Sequence, residues 1–201
     1  VLSMALGNVV AIAQSSIKRM LAYSAISHMG FFLLGVLSAT PRGYSAALFY
    51  VLTYAVMSLG AFGVVILLSR TGFDADALDD FKGLNQRSPW YAFVMLVLMF
   101  SLAGVPPTAG FYAKLLVIES VVRVDLVWLA VVSVIFAVIG AYYYLRVVKL
   151  MYFDEPADRT AIEGGAGFRL LLSVNALLLI AVLPWINDVI GWCSAAVGAL
   201  P

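Results

Sequence analysis

The 201 residues include one cysteine and one histidine, and only 11% of them are charged, against roughly 25% in an ordinary soluble domain. Cys193 alone excludes an internal disulfide and any cysteine-built metal cluster. One histidine with one cysteine falls short of a typical zinc site, and paired helical histidines for haem are impossible within the chain. No glycine-rich phosphate loop is present. Twelve Lys and Arg against eleven Asp and Glu leave a net charge of +1, so no basic field draws nucleic acid. No metal, cofactor or redox chemistry is therefore expected in this chain. What it has in excess is hydrophobic residues, at 64%. A soluble domain of this length needs far more polar surface. Gly and Pro fall inside the apolar runs rather than in turn clusters, which suits membrane helices better than barrel strands. The class expected is all-α, a polytopic transmembrane helix bundle in a lipid bilayer.

A hydrocarbon core about 30 Å thick takes about 20 apolar residues at about 1.5 Å per residue. About six segments approach that length, residues 1–15, 20–39, 44–69, 89–122, 125–150 and 168–198, within one transmembrane domain over 1–201. The chain opens at Val1 inside an apolar stretch, with no basic region ahead of a short apolar core. It reads as a piece of a longer chain, not as a signal peptide. Aromatic residues cluster near segment ends as interfacial belts do: Trp90 and Tyr91, Tyr142 to Tyr144 with Tyr152, Trp185 and Trp192.

Basic residues set the orientation. Lys18, Arg19, Arg70, Lys82, Arg87, Arg146, Lys149, Arg159 and Arg169 fall on one side, Arg42 and Arg123 on the other, and Lys114 inside a segment. The loops 15–19, 70–88 and 151–167 are accordingly expected on the cytoplasmic side.

The fourth segment carries the chemistry. Its 34 positions would run about 51 Å as one helix, too long for a straight crossing. A break is expected at Gly104-Val105-Pro106-Pro107-Thr108-Ala109-Gly110. Pro106 and Pro107 have no N–H to give the carbonyls of Leu102 and Ala103, and their rings crowd that turn. Thr108 and Gly110 can open a second half-helix. Carbonyls freed at membrane depth persist only where protein groups or water satisfy them.

Two turns beyond the prolines stands Lys114. It either snorkels to the far interface or stays at depth, where an ionisable residue costs about 2.5–3.5 kcal/mol on insertion scales. Desolvation favours its amine and a carboxylate or water column its ammonium, so a lysine held between them exchanges a proton at modest cost. Glu119, five residues on, shares that face poorly and lies near the interface unless a bend brings the two together. His28, about 15 Å along its helix from Lys18, serves either as a hydrogen-bond partner or as a relay. Tyr54 either packs or extends a chain of hydroxyls. Ser24, Ser27, Gly30 and Gly35 suit close helix packing.

Two stretches resemble a known family. Ile17-Lys-Arg-Met-Leu-Ala-Tyr-Ser-Ala-Ile-Ser-His-Met-Gly-Phe is similar to the signature of antiporter-like subunits of bacterial NADH–quinone oxidoreductase (respiratory complex I) and of multisubunit cation/proton antiporters. Ser101-Leu-Ala-Gly-Val-Pro-Pro-Thr-Ala-Gly-Phe-Tyr-Ala-Lys resembles their broken helix, which carries a mid-membrane charge. Lysine at that position and a short tail after the last helix look most like one complex I branch of the family. The resemblance implies a fold of inverted five-helix repeats, of which this chain would be the second repeat plus the final helix.

It implies that Lys114 passes a proton to an exit half-channel and that His28 belongs to the connecting polar axis. Lys18 and Arg19 match basic residues of a cytoplasmic turn. Some relatives have a second histidine where Tyr54 stands. The resemblance further implies other membrane subunits as partners, neighbouring antiporter-like subunits among them, with FMN, iron–sulfur clusters and quinone on partner subunits, in the bacterial inner membrane. A sodium–proton antiporter subunit without electron transfer is the alternative.

Overall fold

The computed structural model describes residues 1–69, 74–156 and 165–199. Nine α-helices appear among the described residues, and local chemistry accounts for the starts of α2 and α3. Helix α1 is Leu2–Ile12 and α2 is Ile17–Leu37. The Ser16 side chain caps α2 by accepting from the Arg19 amide, which satisfies one of the N–H groups that a helix start leaves unpaired. In α3, Pro41–Leu68, Thr40 plays the same part for the Gly43 amide and Pro41 takes the first position, where its missing N–H costs nothing. After a 3₁₀ turn at Leu78–Phe81 come a single turn α4, Leu84–Arg87, then α5, Pro89–Ala103, and α6, Ala109–Val122. Helix α7 is Val127–Phe153, α8 is Ala166–Ala181 and α9 is Ile186–Gly198.

Helix α3 is the hub, packed against α2, α5, α6, α8 and α9. On one flank Met20, Met57, Leu98, Val147 and Leu172 form a buried core. On the other, Phe31, Tyr50, Ala113, Val117 and Leu129 form a second. Gly30 lets α1 lie close, since a Cβ there would sit 2.6 Å from Met4 Cγ. Outward, Val131, Val134, Ile135 and Val138 of α7 and Leu170, Leu171 and Val174 of α8 are exposed. So broad an apolar surface belongs against lipid or other membrane helices.

The stretch from Asp74 to Arg87 closes one end of the bundle. The Ile17 amide donates to Asp76 O at 2.7 Å and the Leu78 amide to Ser15 O at 2.8 Å. Lys18 Nζ donates to Asp74 and holds that carboxyl below the usual carboxylate range. Residues 70–73 and 157–164 lie outside the described residues, so the expected loops 70–88 and 151–167 are seen in part.

The span count differs from the six segments. Among the described residues three helices are long and apolar enough to cross singly, α2, α3 and α7, and α8 with α9 makes a fourth as one bent span. Segment 1–15 yields the 11 residues of α1, and segment 89–122 divides into α5 and α6 at the double proline. The last segment is also bent, by 49°, at the 3₁₀ turn Leu183–Trp185, where Pro184 interrupts the ladder.

Candidate functional site

Helix α5 ends with Gly104 at φ +81°, a left-handed conformation that glycine adopts freely. The Gly104 and Val105 amides both return to Phe100 O, at 3.0 and 2.9 Å. This leaves the carbonyls of Leu102 and Ala103, the last two residues of α5, without helical donors. Lys114 supplies the donors. Its Nζ, on α6, donates to Leu102 O at 2.9 Å and to Ala103 O at 2.8 Å. The side chain is buried, and Nζ lies 5.3 Å from the centroid of the Phe31 ring, within cation–π range. Two charge-assisted bonds and an aromatic face therefore offset the loss of water around the ammonium. No carboxylate pairs with Lys114 among the described residues.

The break is built for close approach. A Cβ on Gly104 would meet Lys114 Cδ at 2.8 Å, and one on Gly110 would meet Ser101 O at 1.9 Å. The Gly110 amide donates to Ser101 Oγ at 3.2 Å, and Thr108 Oγ1 donates to Val105 O at 2.8 Å. Pro106 and Pro107 shape the turn between. A cleft of about 380 Å³ opens beside the break between α6 and α7, lined by Lys114, Gly104, Val105, Leu115, Ile118 and Val138 among others.

The second polar centre is His28, buried on α2. Its Nδ1 lies 2.7 Å from the Tyr50 hydroxyl and its Nε2 3.1 Å from the Tyr144 hydroxyl. A neutral imidazole donates from one nitrogen and accepts at the other, so one tyrosine donates to the ring and the other accepts. Tyr54 stacks on the imidazole, with centroids 4.8 Å apart at 29°. The line continues through the Tyr143–Tyr144 ring pair, 4.4 Å between centroids, and Tyr143 donates to Asn8 Oδ1 at 3.1 Å. Toward the break, Tyr50 stacks on Phe31 at 6.4 Å and 11°. The buried sequence is thus Asn8, Tyr143, Tyr144, His28, Tyr50, Phe31, Lys114, contributed by α1, α2, α3, α6 and α7.

One expectation needs correction. The group Tyr142 to Tyr144 is not a uniform interfacial belt: Tyr142 is 59% exposed, whereas Tyr143 and Tyr144 are 2% and 1% exposed, because successive helical residues point about 100° apart. Glu119 lies near the end of α6, as expected, and the break does not bring it to Lys114. Its Oε1 accepts from Arg123 Nε at 2.8 Å and Nη2 at 2.5 Å at the end of α6, a surface pair. Tyr50, Asn8 and Phe31 join the site without having stood out in the sequence, and Tyr143 and Tyr144 join it rather than a belt. The spacing of Tyr50 and Tyr54, one turn apart and beneath a lone histidine, was the available signal. Among the described residues no three His, Cys, Asp or Glu side chains come together to hold a metal ion.

A multi-pass α-helical membrane protein with a broken helix and a buried lysine at the break is the class this geometry defines. The family described as NADH:quinone oxidoreductase/Mrp antiporter, transmembrane, matches residues 1–140, and the chain belongs to that family. The NADH-quinone oxidoreductase subunit N of Thiobacillus denitrificans is 60% identical over 200 residues, covering 98% of this chain and 41% of that protein. The chain spans about two fifths of the length of the curated relatives it matches. A chain of respiratory complex I from Thermus thermophilus superposes with a TM-score of 0.83 at 31% identity, over 94% of this chain and 43% of its own length. A chain of the Mrp complex from Dietzia shares the fold, with a TM-score of 0.86 at 20% identity over 98% of this chain and 45% of its own. Such relatives place it in the bacterial inner membrane.

Proposed function

We propose that the chain is the proton-translocating part of a membrane subunit of an NADH–quinone oxidoreductase, oriented with residues 15–19 and 74–88 toward the cytoplasm. Protons move along the buried line through His28 to Lys114 and leave by an exit half-channel that starts at Lys114. Electron transfer from NADH to quinone takes place on partner subunits, which carry the FMN, the iron–sulfur clusters and the quinone. Neighbouring antiporter-like subunits continue the polar axis. The observation that carries the proposal is Lys114 Nζ seated on the two carbonyls freed by the prolines.

The chemistry follows from the partners. A proton that reaches one nitrogen of His28 releases the proton on the other, so the tyrosine–imidazole–tyrosine chain passes charge without moving the ring far. Among the described residues Lys114 has no carboxylate to fix its charge. It binds a proton when its ammonium rests on the carbonyls and releases it when water reaches it through the cleft beside α7. Phe31 separates the Tyr50 hydroxyl from Lys114, so a proton crosses that gap only when water enters or side chains move. Tyr54, stacked on the imidazole rather than bonded to it, orients the ring.

Lys114→Ala in the assembled complex tests this. Proton uptake into vesicles should be lost and NADH–quinone turnover slowed, with flavin and iron–sulfur subunits still copurifying. Full proton uptake in that variant would refute the proposal. Cation exchange without copurifying redox subunits would favour the sodium–proton antiporter.

A further inference from the structure

We propose that a recess between the start of α3 and the ends of α6 and α9 binds the phosphate of an anionic phospholipid, in the leaflet opposite the Lys18–Asp74 end of the bundle. The recess holds about 350 Å³, and its polar lining is Arg42, Ser45, Glu119, Ser120 and Ser194. Glu119 gives its Oε1 to Arg123, so its charge is largely matched. Arg42 forms no ion pair among the described residues. It is a cation at the end of the bundle where basic residues are scarce, which opposes the usual charge asymmetry of membrane proteins. Its guanidinium presents a planar fork of donors that suits two oxygens of one phosphate.

Ser45 Oγ donates to Pro41 O at 2.8 Å and lies 3.2 Å from Ser194 Oγ. Ser45 has given its proton to Pro41 O, so the exposed Ser194 donates to Ser45 Oγ, and a ligand oxygen would compete with Ser45 for that proton. Leu116 and Ile190 form an apolar wall of the same recess, against which a glycerol backbone and the root of an acyl chain fit. Charge, hydroxyl and apolar wall together match a phospholipid head better than a soluble anion.

The recess is separate from the proton site. It draws Leu116, Glu119 and Ser120 from α6, whereas Lys114 faces the cleft with Leu115 and Ile118. Ala113 and Val117, fully buried, pack on α6 between the two flanks.

The test uses the assembled, purified complex in nanodiscs of phosphatidylcholine doped with a diazirine-bearing phosphatidylglycerol, with adducts mapped by mass spectrometry. Adducts should concentrate in residues 41–46, 116–123 and 190–195. Arg42→Gln should lower them about fivefold, the loss of one interfacial basic contact, while Arg42→Lys keeps most of them. Phosphatidylcholine carrying the same diazirine should label those peptides less in the wild type. Equal labelling by the two lipids, or undiminished labelling of Arg42→Gln, overturns the proposal. So does displacement of the lipid by millimolar inorganic phosphate, which would assign the recess to a soluble anion.

Discussion

Replacing Gly104 by alanine separates two costs that the break imposes. Gly104 has φ +81°, and a non-glycine residue in that region costs about 1–2 kcal/mol. That strain burdens the fold whether or not Lys114 is seated. The new Cβ would also lie 2.8 Å from Lys114 Cδ, far inside ordinary carbon contact of about 3.5–4.0 Å. The flexible lysine chain yields, and its Nζ loses hold of one of the two carbonyls now at 2.9 and 2.8 Å. A hydrogen bond from a charged group is worth about 1.5–3 kcal/mol, so about 2 kcal/mol of seating energy is lost. This corresponds to about a thirtyfold fall in the seated population.

Proton uptake is read by quenching of a ΔpH-sensitive dye in inverted vesicles, with NADH–quinone turnover on the same preparation. Gly104→Ala should lower uptake well below wild type with the complex assembled. Gly104→Asn, which tolerates positive φ better but keeps the clash, should be less destabilised and equally slow. Wild-type uptake by Gly104→Ala would refute the claim that Gly104 exists to seat Lys114.

Two further outcomes are expected. Tyr144→Phe and Tyr50→Phe each remove one hydroxyl from His28 and should slow proton uptake without disturbing assembly, whereas His28→Ala should slow it more; unchanged uptake in all three would exclude a relay through His28. In a Cys193→Ser background, cysteine placed at the exposed Asp79 should react with impermeant maleimide only from the cytoplasm, and cysteine at the exposed Pro41 only from the other side; the reverse pattern would invert the topology and the direction of proton release.

The break was legible in the sequence because proline chemistry is local: Pro106 and Pro107 name the two carbonyls they leave free without any tertiary information. That Lys114 would serve those carbonyls was not legible, since the lysine reaches back 12 and 11 residues across a turn whose shape depends on Gly104 and on Ser101 meeting Gly110. His28 stood out as the single histidine, but its partners are 22 and 116 residues away. Long-range pairing of that kind leaves no periodic trace. Tyr143 and Tyr144 looked like belt residues because composition near a helix end resembles a belt whichever way the side chains point. The bend at Pro184 went unread for a related reason: one proline without flanking glycine is a weaker signal than the paired prolines of the fourth segment. Glu119 was legible as an interfacial charge because it shares Lys114's helical face poorly, and the fold pairs it with Arg123, one turn away.

The central claim is that Lys114 carries a mobile proton, and Lys114→Arg tests it most directly. An arginine keeps a positive charge at the break and can still donate to the carbonyls of Leu102 and Ala103, but it does not deprotonate in a protein. Proton uptake and NADH–quinone turnover are measured together in vesicles holding the assembled variant. The account predicts that uptake is abolished or nearly so and turnover slowed, close to the behaviour of Lys114→Ala. Uptake at the wild-type rate would make Lys114 a fixed charge that braces the broken helix, and the proton-carrier claim would be wrong.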